Sequence, residues 1–199
     1  TVAGAPDVIL TASANASLAA RDSAKSIPVV FAGVGDPIGV GLVASLPRPG
    51  GNVTGVSILV PEIAAKRLQL LTQMAPKAET VGLMSDPDNA VAKINLSELL
   101  PASQKLHVRT KMIEARSAKG IEAQFEIAFG NGIDALYIIA APLFTPLAPQ
   151  IARAALQLRL PAIYDFSEFP RAGGLISYGP NLGANYRRSA YYVDRIFKG

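Results

Sequence analysis

The sequence predicts an α/β fold built on parallel sheets and divided over two lobes, the first of them incomplete. Two observations carry this. Short β-type runs alternate with helix-type stretches from end to end, the signature of parallel α/β architecture. Most of the β-type runs are continuously apolar, as strands covered on both faces require. The composition agrees: of 199 residues half are hydrophobic and 17% charged, below the ~25% charge of an ordinary globular domain.

The elements follow in order. Strands are predicted at 7–11, 28–32, 80–84, 108–113, 135–139, 162–164 and 175–177. A helix over 62–75 places Ile63, Arg67, Leu71 and Met74 on one stripe and ends at Pro76. Residues 121–129 align Ile121, Phe125 and Ala128, and 147–159 align Ile151, Ala154, Ala155 and Leu158. In the helical stretch 90–106, Pro101 is expected to kink or split the helix. Five strands between 80 and 177 make a self-sufficient sheet, whereas the two near residues 8 and 29 cannot cover their own apolar faces. A last helical pattern over 184–197 stops abruptly at Lys198-Gly199. The expectation is a piece of a larger two-lobed protein, short at both ends.

Several function classes are excluded by composition. With no cysteine, thiol nucleophiles, disulfide scaffolds and thiolate metal sites are absent. The longest apolar run, 135–144, stops at ten residues, short of the ~20 a membrane span needs. The net charge is +4, but the basic residues are scattered, so nucleic acid is not the expected partner. Nothing at the start reads as a signal peptide, so any such segment is expected to have been removed.

In parallel α/β sheets ligands sit beyond the C-terminal strand ends, where helix N-termini converge. The loop Thr11-Ala12-Ser13-Ala14-Asn15 offers N-caps or, alternatively, hydroxyl and amide contacts to a polar ligand. The loop from Gly33 to Gly41 contains Gly35, Asp36 and Pro37 and matches neither phosphate-binding glycine pattern. Asp36 is either a turn residue or the anchor of a ligand ammonium. Asp86 and Asp88 read as a solvated turn, or as a metal or proton-sharing pair. The Ala140-Ala141-Pro142-Leu143-Phe144 loop carries no titratable group and can only shape a pocket. Tyr164, Tyr178 and Asn181 sit at strand ends, while Phe166 and Phe169 read as the buried stripe of a short helix. No nucleophile elbow, metal-ligand pattern or catalytic triad is present, because the single histidine, His107, belongs at the opposite strand ends. No catalytic residue, metal or cofactor is expected.

Four stretches carry a specific resemblance: IPVVFAGVGDPIGVGLVASLPRPGGNVTGVS at 27–57, KRLQLL at 66–71, APLF at 141–144 and LPAIYDFSEFPRAGGLISYGPNL at 160–182. They are similar to the substrate-binding proteins of ABC transporters, in particular the TrpX-like family. The resemblance implies a type I periplasmic-binding fold, two Rossmann-like lobes that close on a small organic ligand, amino-acid-like or aromatic, and deliver it to a membrane permease. It implies an exported, periplasmic or envelope-anchored protein. Carried over by position, the ligand-facing residues are Ser13, Ala14, Asn15, Gly35, Asp36, Pro37, Ala141, Phe144, Tyr164, Tyr178 and Asn181. Relatives often place an acid where Ala141 stands and a hydroxyl where Ala14 stands, so two polar anchors are missing here. Lobe one is expected at 1–55 joined by 178–199, lobe two at 56–177, with Gly55 and Gly179 as hinge residues. The rival readings are an effector-binding domain of a transcription regulator, which needs a DNA-binding segment upstream, and a small-molecule α/β enzyme using Asp36 or Asp86 as base.

Overall fold

A computed structural model describes residues 6–58, 60–117 and 121–199. Its contacts divide the chain into two compact units, Thr1–Leu59 with Asn181–Gly199, and Val60–Pro180.

The first unit holds β1 (Ile9–Thr11), α1 (Ala14–Ser23), β2 (Val29–Val34), β3 (Val53–Ser57) and α7 (Leu182–Lys198), with α2 to α6 in the other unit. Its sheet has the order β1-β2-β3, all parallel, with Thr11 opposite Phe31 and Phe31 opposite Gly55. β2 is central because Val29, Val30, Phe31 and Ala32 are each at most 3% exposed, a run apolar on both faces. β3 was not anticipated. Gly55 interrupts its apolar pattern, and only pairing along β2 makes it a strand. At Gly55 a Cβ would lie 2.1 Å from the Phe31 carbonyl oxygen, so the glycine permits a close backbone approach. α7 packs on β2 and β3.

The second unit holds α2 (Val60–Met74), β4 (Thr80–Ser85), α3 (Ala92–Lys105), β5 (Arg109–Glu114), α4 (Ile121–Gly130), β6 (Ala135–Ile138), α5 (Ala148–Gln157), β7 (Ala162–Tyr164), α6 (Glu168–Arg171) and β8 (Ile176–Ser177). The parallel sheet runs β5-β4-β6-β7-β8. β4 is buried throughout, whereas the edge strand β5 exposes Arg109, Lys111 and Glu114, charges that discourage pairing with another chain. Leu68 and Leu71 of α2 and Leu99 of α3 pack with Val81, Leu83, Tyr137 and Ile163 of the sheet. Contrary to expectation, α3 is continuous through Pro101. Pro101 and Ser97, whose carbonyl loses its helical partner, are both exposed. Buried Leu99, Ala102 and Ser103 hold the helix to the core across the lost hydrogen bond. No described helix is long and apolar enough to cross a membrane.

Candidate functional site

Because every strand pair is parallel, each unit gathers its strand-to-helix loops at one end of its own sheet. In the first unit Ser13 caps α1, its Oγ accepting from the Ala16 N–H at 3.2 Å. The Ser13 carbonyl accepts from Ser17 Oγ at 2.7 Å, and Ser17 Oγ lies 2.7 Å from Thr11 Oγ1. Ala14 is buried and Asn15 exposed in the first turn of α1. After β2, Gly35 and Pro37 are buried and Asp36 is half-buried. Asp36 Oδ1 accepts from the Gly39 N–H at 2.8 Å, and a Cβ on Gly39 would meet Asp36 Oδ2 at 2.1 Å. The Asp36 carboxylate therefore braces its own turn. Asn181 caps α7, accepting from the Ala184 N–H at 3.0 Å. The neighbouring Leu182 lies beside Gly33, 3.9 Å from the position its Cβ would take. The N-terminus of α7 thus sits at the C-terminal end of β2, and this end collects Ser13, Asn15, Gly35, Asp36 and Asn181.

In the second unit, Asp86 Oδ1 accepts from the Asp88 N–H at 3.0 Å, and Asp88 pairs with Arg116 at 2.8 Å. This is the solvated-turn arrangement. Among the described residues no group of three or more histidine or carboxylate side chains is placed to hold a metal. Ala141 and Phe144 are buried. Tyr164 is fully buried, its ring stacked on Phe169 with centroids 4.6 Å apart and its edge against Gly174. Phe166 and Phe169 are buried as well. Of the aromatic residues expected at these loops, Tyr178 is the accessible one, 42% exposed. His107 is the left-handed residue ending α3, exposed at the start of β5 and so at the other end of the sheet.

Beneath these loops lies a charged cluster that reading the sequence did not pick out. Arg67 of α2 and Asp165, which follows β7, form an ion pair with 0% and 1% side-chain exposure. Arg67 Nε donates to the Tyr178 carbonyl at 2.6 Å and Nη1 to the Tyr137 hydroxyl at 2.5 Å. Asp165 Oδ2 accepts from the Ala140 N–H, and Asn89 Nδ2 donates to the Ala140 carbonyl at 2.8 Å. A Cβ on Gly179 would lie 2.1 Å from the Asp165 carbonyl oxygen. Burial pushes the Asp165 carboxyl up, opposed by the Arg67 guanidinium and the Ala140 N–H. Burial also raises the Tyr137 and Tyr164 phenols above their usual range. The signal available in the sequence was a cation, Arg67, on an otherwise apolar helix stripe, because a buried charge requires a partner. The arrangement offers fixed backbone groups and an exposed ring at a strand end, a setting for holding an organic molecule.

A family model described as ABC transporter substrate binding protein matches residues 1–199. A curated "Tyrosine-binding protein" of Clostridioides difficile (strain R20291) is 28% identical over 195 residues, covering 96% of this chain and 53% of the relative. The structure of an ABC domain in complex with L-Trp from Streptococcus pneumonia aligns with a TM-score of 0.89 at 23% identity, over 100% of this chain and 66% of that one. A conserved domain protein from Vibrio cholerae aligns with a TM-score of 0.89 at 25% identity, over 98% and 65%. The chain therefore spans about half the length of the curated relative and just under two thirds of these solved chains.

Proposed function

The chain belongs to the family of ABC transporter substrate-binding proteins, and on that premise we propose that it serves an importer by capturing an aromatic amino acid or a related small aromatic acid. The match of the family model along all of residues 1–199 carries this reading. The fold is the α/β, parallel-sheet, type I periplasmic-binding architecture of that family. In this reading the protein binds without turning over its ligand and hands it to a membrane permease outside the cytoplasm. The aromatic class is supported by the tyrosine-binding relative, by the neighbour solved with L-Trp and by the accessible ring of Tyr178. Ser13, Asn15, Gly35, Asp36 and Asn181 are the proposed ligand-facing set of the first unit, and Ala141, Phe144 and Tyr178 that of the second, with Tyr164 packed behind them on Phe169. With Ala14 and Ala141 offering no side-chain polar group, recognition of the ligand's charged ends falls to backbone N–H groups at the caps of α1 and α7 and to the free carboxylate lone pairs of Asp36.

The test is calorimetric titration and thermal shift with L-tyrosine, L-tryptophan and their deaminated aromatic acids. Saturable binding that raises the melting temperature with ligand concentration is the expected result. Aliphatic amino acids or sugars stabilising the protein while every aromatic compound fails would overturn the aromatic assignment.

A further inference from the structure

Two of the stretches that carry the family signature, 66–71 and 160–182, meet in the interior of the second unit through one buried ion pair. Arg67 and Asp165 are both essentially inaccessible to water. Beyond the pair itself, each also holds one backbone group on a loop at the ligand-facing strand ends, while Arg67 Nη2 has no hydrogen-bond partner. Asp165 accepts from the N–H of Ala140, the residue before Ala141. Arg67 donates to the carbonyl of Tyr178. The Tyr178 N–H is in turn bound to the Tyr164 carbonyl at 3.0 Å, so Tyr178 is held at both of its backbone polar groups. Tyr137, donating at 3.5 Å to the Ala64 carbonyl, ties the guanidinium to the sheet and to α2.

This is more than the core needs. A buried ion pair is weak evidence for stability, since well-packed apolar residues of similar volume replace such pairs at little or no cost. What apolar residues cannot do is hold a carbonyl on one loop and an N–H on another in fixed register. We propose that Arg67 and Asp165 are positioning residues that lock the Ala140-Ala141 loop and Tyr178 in their ligand-ready arrangement. The ligand part of this inference rests on the function proposed above, whereas the locking of the loops does not.

The experiment uses the chain with the double replacement Arg67→Met and Asp165→Val, which removes both charges together and leaves neither unpaired. Hydrogen exchange read by mass spectrometry follows the peptides around 138–144 and 176–181, and L-tyrosine and L-tryptophan serve as probes for binding. The expected result is a melting temperature near that of the unaltered chain and exchange at least about tenfold faster in those two loops, with β4 and β6 still protected. Either probe that binds the unaltered chain should bind the double variant at least about tenfold more weakly. Loops that stay as protected as before overturn the proposal, as does unchanged affinity for a probe that binds. If neither probe binds the unaltered chain, the aromatic-ligand reading falls while the exchange result still decides the locking. Should the double variant fail to fold, Arg67→Lys keeps a cation beside Asp165 but loses the planar fork. Its expected signature is faster exchange at 176–181 with 138–144 unchanged, and the reverse pattern, or no change in either loop, counts against the proposal.

Discussion

Replacing Gly55 with alanine tests the close approach of β3 to β2. Gly55 lies opposite Phe31 in the β2–β3 ladder, with φ of 157°. An alanine Cβ there would sit 2.1 Å from the Phe31 carbonyl oxygen and 2.6 Å from its nitrogen, where ordinary contact begins at 3.4 Å. Relief requires the two backbones to part by roughly 1 Å, about a fifth of the ~4.8 Å spacing between paired strands and enough to break the ladder's hydrogen bonds there. Forcing an L-residue into that region costs about 1–3 kcal/mol and the steric insertion about 1–3 kcal/mol more, so about 2–6 kcal/mol in total. Against a whole-domain stability of about 5–15 kcal/mol, that loss is plain in urea unfolding followed by circular dichroism. Gly132→Ala is the control, since its φ is 74° but its Cβ would meet nothing within 4 Å. The control carries the conformational cost alone, about 1 kcal/mol. A Gly55→Ala variant within about 0.5 kcal/mol of the unaltered chain would refute the close-approach argument.

Three further outcomes are expected. Asp36→Ala removes the brace on the Gly39 N–H and costs about 1 kcal/mol of stability. Paired melting and titration experiments sort its role: a lowered melting temperature with binding intact assigns Asp36 to its turn alone, and weakened binding assigns it to the ligand as well. Arg159→Gly relieves an exposed left-handed residue with φ of 55° ending α5, raising stability by about 1 kcal/mol. Denaturant titration showing no gain would refute that. On alkaline titration the phenols of Tyr137 and Tyr164 are raised in the folded protein, while in the unfolded chain they ionise near pH ~10. The unfolded state therefore loses protons first, so their stabilisation is complete below that pH and is lost as pH rises above it. Phenolate absorbance reaching the amplitude of all six tyrosines while the far-ultraviolet spectrum stays native would contradict this.

The chain's own pattern was enough to establish the parallel α/β class, the strands around residues 29, 82, 136 and 163, and the loops that follow them. Runs such as Val29-Val30-Phe31-Ala32 are apolar on both faces and admit no other burial. The same local logic placed His107 away from the loops, while it left Asp86 and Asp88 open between a turn and a paired site, and the structure shows the turn. It failed where the deciding interaction is remote. β3 is a strand because Val53 and Gly55 find Val29 and Phe31, although the glycine breaks its own pattern. α3 runs through Pro101 because its buried face outweighs the loss of one helical hydrogen bond. Tyr164 stands at a strand end, yet tertiary packing turns its ring onto Phe169 rather than toward solvent. The pairing of Arg67 with Asp165 was equally out of reach. Periodicity records which face of an element meets the core, but a charge's partner is chosen in three dimensions, by whichever distant side chain the sheet order brings within hydrogen-bonding distance.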